Sequence, residues 1–237
     1  MSDQPTVVLV HGAFSDASAW NGVSHRLQNM GYVTLAPAMP LRGLHSDAEY
    51  LASFLKTVEG PMVLAGHSYG GSVISHPVLA NINISALVFI AAFAPDVGES
   101  AGELNGKFPG SKLDEATTIV REYPGGQDLY LRSESFRDVY AADLTASAAA
   151  LLAASQRPID VTALGETFDR EPIWRLTPSW MVVSTFDDSL PAEAQRFMGK
   201  RAGSTIVEID ASHASPISRP EAVATEIHAA SRDTSSQ

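Results

Sequence analysis

The chain of 237 residues contains no cysteine, which excludes disulfides and thiolate metal sites while leaving the compartment open. Cations are also scarce. Only 16 Lys+Arg stand against 27 Asp+Glu, a formal charge of -11 that repels phosphate backbones and anionic lipid, so nucleic acid is not an expected partner. No apolar run approaches the roughly 20 residues of a membrane span. The start, MSDQPTVVLVHG, lacks the basic and long apolar regions of a leader, so the expected setting is the cytoplasm, away from membranes. H-x-H and H-E-x-x-H patterns are missing, and acidic residues do not cluster near the loops of interest. No metal or cofactor is expected. With 45% hydrophobic and 18% charged residues, the composition is that of an ordinary globular core.

What is present alternates strand with helix. Residues 6–10 form a short apolar, β-branched run ended by His11-Gly12, the pattern of a strand buried on both faces of a parallel sheet. A helix is expected over 19–30, a strand over 32–36, and a helix opened by a Ser46-x-x-Glu49 capping box with Leu51, Phe54, Leu55 and Val58 on one face. A strand at 61–65, a helix at 70–79 kinked or shortened by Pro77, and a strand at 84–92 continue the series. Strand, helix and strand recur at 180–185, 191–201 and 205–209, and Ser218-x-x-Glu221 caps a last helix. Right-handed crossovers make this a doubly wound α/β sheet. Between them the strand signal vanishes and helical stretches at 114–122, 134–141 and 144–156 take over. The expectation is an α/β core of residues 1–94 and 179–237 with a helical cap of residues 95–178 inserted over the carboxyl ends of the strands, where α/β sheets bind ligands. The polar tail, 231–237, is expected to fray.

The chemistry concentrates in Val63-Leu64-Ala65-Gly66-His67-Ser68-Tyr69-Gly70-Gly71-Ser72, a strand that runs through G-x-S-x-G into a helix. Such an elbow needs glycines because neighbouring backbones crowd the turn, and it presents the serine outward in a strained conformation. A bare G-x-S-x-G also occurs in glycine-rich turns around an ordinary serine; the flanking strand and helix favour the nucleophile.

A serine hydroxyl needs a histidine base and an orienting carboxylate, in the chain order Ser, Asp/Glu, His. His213 follows the last strand and can reach Ser68, whereas His228 falls inside the terminal helix. The acid belongs after the preceding strand, where Asp187 and Asp188 both stand. Asp187 is preferred because it lies nearer the strand end, with Asp188 at the helix start as a charge on its N-terminus. Oxyanion donors are expected from the backbone N–H groups of Tyr69 and of Ala13 in the first loop, with Phe14 as the alternative to Ala13. His11 is read as structural. Phe14, Phe93, Leu151 and Trp174 are candidate pocket walls, each equally explicable as core.

Together these residues resemble the α/β-hydrolase superfamily, and within it the small esterase branch of plant methylesterases, hydroxynitrile lyases and bacterial hydrolases. The resemblance runs nearly the whole chain, through Val8-Leu9-Val10-His11-Gly12-Ala13, the Trp20 region, the elbow, the 185–191 loop ending in Leu-Pro, Gln195-Arg196-Phe197 and the His213 loop. It implies a six-stranded sheet, Asp187 as the acid, and a cofactor-free carboxylesterase that acts on a small, largely apolar ester through an acyl-enzyme. The lyases typically carry threonine, glutamate and lysine where this chain has Gly12, His67 and Ala214, and superfamily members with an aspartate nucleophile differ at Ser68. A lyase or cofactor-free dioxygenase on the same triad, or a non-catalytic receptor, are the rival readings; receptors commonly lose a triad member, and here all three are present.

Overall fold

Apolar strands without polar alternation must be covered on both faces, and this requirement organises the molecule. The computed structural model describes residues 4–233. Strand β1 (Thr6–Val10) leads through a 3-10 turn, Ala17–Trp20, into α1 (Asn21–Asn29) and the short β2 (Thr34–Leu35). Then come α2 (Leu44–Leu55), β3 (Met62–His67), α3 (Tyr69–Ser75) and β4 (Ile84–Ile90). The next stretch holds α4 (Ala101–Gly106), β5 (Thr118–Tyr123), β6 (Gly126–Leu131), α5 (Ser133–Tyr140), α6 (Ala146–Ser155) and β7 (Ile159–Asp160). The chain closes with β8 (Ser179–Ser184), α7 (Ala192–Arg201), β9 (Thr205–Ile209), α8 (Ser215–Ser218) and α9 (Pro220–Asp233).

Six strands form one sheet in the order β2-β1-β3-β4-β8-β9, and every neighbouring pair is parallel. The period of two divides their side chains between two cores. Val7, Leu9, Val63, Ala65, Val88 and Ile90 meet Val23 and Leu27 of α1 and Val223 and Ile227 of α9. Val8, Val10, Leu64, Leu87 and Phe89 face the opposite way, onto α2, α3 and α7. Each fully buried Val, Leu, Ile or Phe contributes about 1.5–3 kcal/mol relative to its exposed state, which makes this sheet the chief source of stability. The order reverses between β1 and β3, so the loops at their carboxyl ends part there and leave the crevice in which such sheets bind ligands.

Several local expectations are corrected. Residues 118–123 are not helical; β5 pairs antiparallel with β6 around Pro124-Gly125, and β7 adds a third strand. A proline followed by Gly125 at φ 107 supplies the tight turn, and the pairing overrides the weak helical pattern. The capping box at Ser46 does not form: α2 starts at Leu44 after Gly43, and the Ser46 hydroxyl donates back to the Gly43 carbonyl. The last helix starts at Pro220 rather than being capped from Ser218, which ends α8. Pro77 does shorten the elbow helix, which stops at Ser75 and gives way to a 3-10 turn. Within the expected frayed tail, residues 231–233 continue α9 and Ser231 is buried, while 234–237 lie outside the described residues.

Candidate active site

The carboxyl ends of β1, β3, β8 and β9 bring the sequence-derived candidates to one edge of the sheet. Ser68 occupies the turn between β3 and α3 at φ 54, ψ -124, a region that costs an L-residue about 1–3 kcal/mol. Phe14 after β1 and Ala91 after β4 also have positive φ, so the strain collects at this edge. The backbone around Ser68 is held on both sides: its N–H donates to Ile90 O, and its carbonyl accepts from Gly71 and Phe93 N–H.

Close approach explains the glycines. A β-carbon on Gly12 would lie 2.7 Å from His67 O and 2.8 Å from Ser68 Cβ, and one on Gly66 would lie 2.6 Å from Gly70 O. The first loop is thus packed directly on the elbow. His11 holds that loop from below: its Nε2 accepts from Met39 N–H at 2.9 Å, which leaves Nδ1–H to donate to Gly12 O at 3.0 Å. Burial lowers its pKa, in keeping with a neutral ring.

His213 and Asp187 meet at 2.7 Å between Nδ1 and Oδ2, both buried. Asp187 accepts from Ser189 and Leu190 N–H at 2.8 Å each and from Gln195 Nε2 at 2.9 Å. With His213 this makes four donors and no acceptor, the complement of an ionised carboxylate. Gln195 is itself fixed, since Ser184 N–H donates to its Oε1. Asp188 points elsewhere, into an exposed ion pair with Lys112 at 2.9 Å. The carboxylate on Nδ1 leaves Nε2 of His213 as the basic nitrogen.

Ser68, His213, Ala13, Tyr69, Phe14 and Phe93 line one largely apolar cavity. No hydrogen bond joins Ser68 to His213, a pair often held loosely until substrate binds. Among the described residues the N–H groups of Ala13 and Tyr69 have no acceptor, whereas Phe14 N–H is taken by Arg157 O at 2.9 Å. Of the two N–H groups considered in the first loop, only that of Ala13 is thus free to receive an acceptor. Two of the expected walls are not at the cavity. Leu151 is 73% exposed on α6, where the polypeptide turns it to solvent, and Trp174 is buried elsewhere, its indole N–H donating to Pro95 O at 2.9 Å.

Residues that sequence reasoning passed over hold the arrangement in place. His67 Nε2–H donates to His213 O at 2.8 Å, and burial together with the neighbouring imidazole pushes its pKa well down, so it stays neutral. The Tyr69 hydroxyl donates to buried Asp47 at 2.8 Å; burial raises the Asp47 carboxyl and drives the phenol well up. Tyr140 O accepts from Ala214 N–H, Asp143 accepts from the Ser212 N–H and hydroxyl, and Val139 O accepts from the Ser189 hydroxyl. His67 and Gln195 stood inside recognisable motifs; Val139, Tyr140 and Asp143 carry no local signal.

A nucleophile at a strand-to-helix elbow, a histidine oriented by a buried carboxylate, and two free N–H groups beside it make up the constellation of a serine hydrolase. The family model described as "Alpha/beta hydrolase family" matches residues 7–226, and the chain belongs to that family. It is 26% identical to a pyrethroid hydrolase of Sphingobium wenxiniae over 241 residues, covering 92% of this chain and 84% of that one. Methylesterase 7 of Arabidopsis thaliana is 30% identical over 114 residues, 40% of this chain and 43% of its own. The crystal structure of a pyrethroid hydrolase from Sphingobium faniae superposes with a TM-score of 0.78 at 22% identity, over 98% of this chain and 99% of that chain. Polyneuridine aldehyde esterase does so at 0.80 and 21% identity, over 95% and 98%. No helix among the described residues is long and apolar enough to cross a membrane.

Proposed function

We propose that the protein hydrolyses the carboxylic ester of a small, largely apolar substrate, with Ser68 as nucleophile. The observation that carries this reading is the His213–Asp187 pair, 2.7 Å apart and held by three further donors, facing the same apolar cavity as the strained Ser68. Ser68 Oγ attacks the carbonyl carbon as its proton passes to His213 Nε2, and the Ala13 and Tyr69 N–H groups receive the negative oxygen. Collapse of this adduct breaks the bond to the alkoxy oxygen, which leaves as the alcohol with the proton from His213. Water, deprotonated by the same imidazole, then releases the acid and restores Ser68. One ester and one water give one acid and one alcohol.

The pyrethroid hydrolase and methylesterase relatives bear names that fit ester cleavage, and no lysine or arginine lines the cavity to hold a departing cyanide. Hydrolysis of p-nitrophenyl acetate tests the proposal. Ser68→Ala is expected to lower kcat/KM by about a thousandfold or more with an unchanged unfolding midpoint. Equal rates for the two proteins would overturn it.

A further inference from the structure

The cavity beside Ser68 is apolar except for five side chains, and four of these are already committed. Ser68 and His213 belong to the reaction. The Tyr69 hydroxyl donates to Asp47, and the Ser189 hydroxyl donates to Val139 O. The fifth is Asn105, on α4, one helical turn after Ala101, which also lines the cavity. Helix α4 is anchored by a reciprocal cap in which Ser100 Oγ accepts from Glu103 N–H and the Glu103 carboxylate accepts from Ser100 N–H. Asn105 is therefore presented from a fixed turn.

Its amide is oriented by its neighbours. The Ser111 hydroxyl has one proton, which it gives to Ser189 O at 2.8 Å; it accepts from Leu113 N–H at 3.2 Å and from Asn105 Nδ2 at 3.0 Å. That puts the nitrogen of Asn105 toward Ser111 and leaves Oδ1 buried without any donor. Turning the amide over does not help, because the single Ser111 proton would then serve either Asn105 or Ser189 and leave the other bare. Buried carbonyl oxygens without a donor are rare, and in a binding cavity the missing donor is naturally one that arrives with the ligand.

We propose that Asn105 is a specificity residue whose Oδ1 accepts a hydrogen bond from the substrate, so that the preferred ester carries a hydroxyl or amide N–H on its otherwise apolar body. The inference rests on Ser68 as the esterolytic nucleophile and names the substrate class of that same site. A site built to pair with a donor discriminates against the analogue that lacks one, because binding the analogue leaves the acceptor buried and unmet.

The test is a set of matched methyl esters: methyl phenylacetate against methyl mandelate, methyl hexanoate against its hydroxy isomers at each carbon, and N-acetyl amino acid methyl esters against the deaminated parents. In the wild type at least one donor-bearing member should exceed its parent in kcat/KM by about tenfold or more. Asn105→Leu should bring that ratio close to one, and Asn105→Ala provides a second variant should the larger side chain disturb α4. Ratios near one throughout the wild-type set, or a preference that survives in both variants, would overturn the role of Asn105 while leaving the nucleophile intact. Turnover that persists in Ser68→Ala, or no turnover of any ester by the wild type, would instead remove the underlying reading and the inference with it.

Discussion

The parallel sheet and the stretch between β4 and β8 are made on different principles. The central sheet strands β1, β3, β4 and β8 are largely apolar runs, buried on both faces, and their identity is local. The intervening stretch contains β5 and β6, half-exposed strands with Arg121, Glu122, Gln127 and Asp128 in their paired register. Such strands exist only because each finds the other. Yet this second region reaches three loops of the site: Arg157 O holds Phe14 N–H, Val139 O holds Ser189, and Tyr140 O and Asp143 hold the residues flanking His213. Its apolar side chains Leu131, Phe136, Val139 and Tyr140 join the core on one face of the sheet. The sheet carries Ser68, Asp187 and His213 on its loops, and the stretch between β4 and β8 hydrogen-bonds to the loops beside two of them.

The largest expected effect tests the sheet's side of that division. Asp187→Asn removes the acceptor that orients His213 and should cost about a thousandfold or more in kcat. Asp188→Asn loses only an exposed pair with Lys112, worth about 0–1 kcal/mol, and should leave ester turnover within about twofold. Reversed outcomes would place the acid one residue later.

A smaller effect measures the inserted stretch. Asp143→Ala frees Ser212 beside His213, and misplacement of a reacting group by about 1 Å can cost about a hundredfold. A fall of about ten- to a hundredfold in kcat with KM little changed is expected in steady-state assays. Wild-type kcat in this variant would mean that the loop holds its position without support from the insertion.

The smallest effect separates the regions by pH. All seven histidines lie outside residues 95–178, so histidine protonation acts on the sheet half. Burial, with His45 nearby, lowers the pKa of His76 to about 4 from the ordinary 6.5, and His11 and His67 are lowered as well. An unfolded chain takes up these protons first. The stability that His76 contributes is therefore full above about pH 6.5, falls as the pH drops toward about 4, and levels off below, by at most about 1.4 kcal/mol per pH unit. Asp47, whose carboxyl is raised by burial, opposes this trend, its contribution fading as the pH rises through its folded pKa. Urea midpoints should decline from pH 7 to pH 5, and His76→Gln should flatten the slope; an unaltered slope would remove His76 from the account.

Much of the fold was legible because its signals are short-range. The elbow glycines, the β-branched runs and the Pro77 break each act within a few residues, so the sequence places all six sheet strands to within two residues. The hairpin was missed although Pro124-Gly125 marks a turn, since charged residues break the alternation on either side. Val139 and Tyr140 were invisible for another reason: a backbone carbonyl can serve any loop that reaches it, and nothing in its own residue records the partner. Asn105 and Asp143 are lone polar side chains, and the Ser212 partner of Asp143 lies far along the chain.

Local sequence by itself determined the strained serine, the order of the three candidate groups and the two-faced sheet, because steric demands of turns and burial of apolar runs are properties of a few consecutive residues. The tertiary structure brings Asp187, the residue the spacing preferred, to His213 and leaves the Ala13 N–H free, and it alone decided that Leu151 faces solvent and that Asn105 keeps a bare acceptor. Each depends on which donor or acceptor arrives from a distant part of the chain, and hydrogen-bond pairing over such separations is set only when the layers pack.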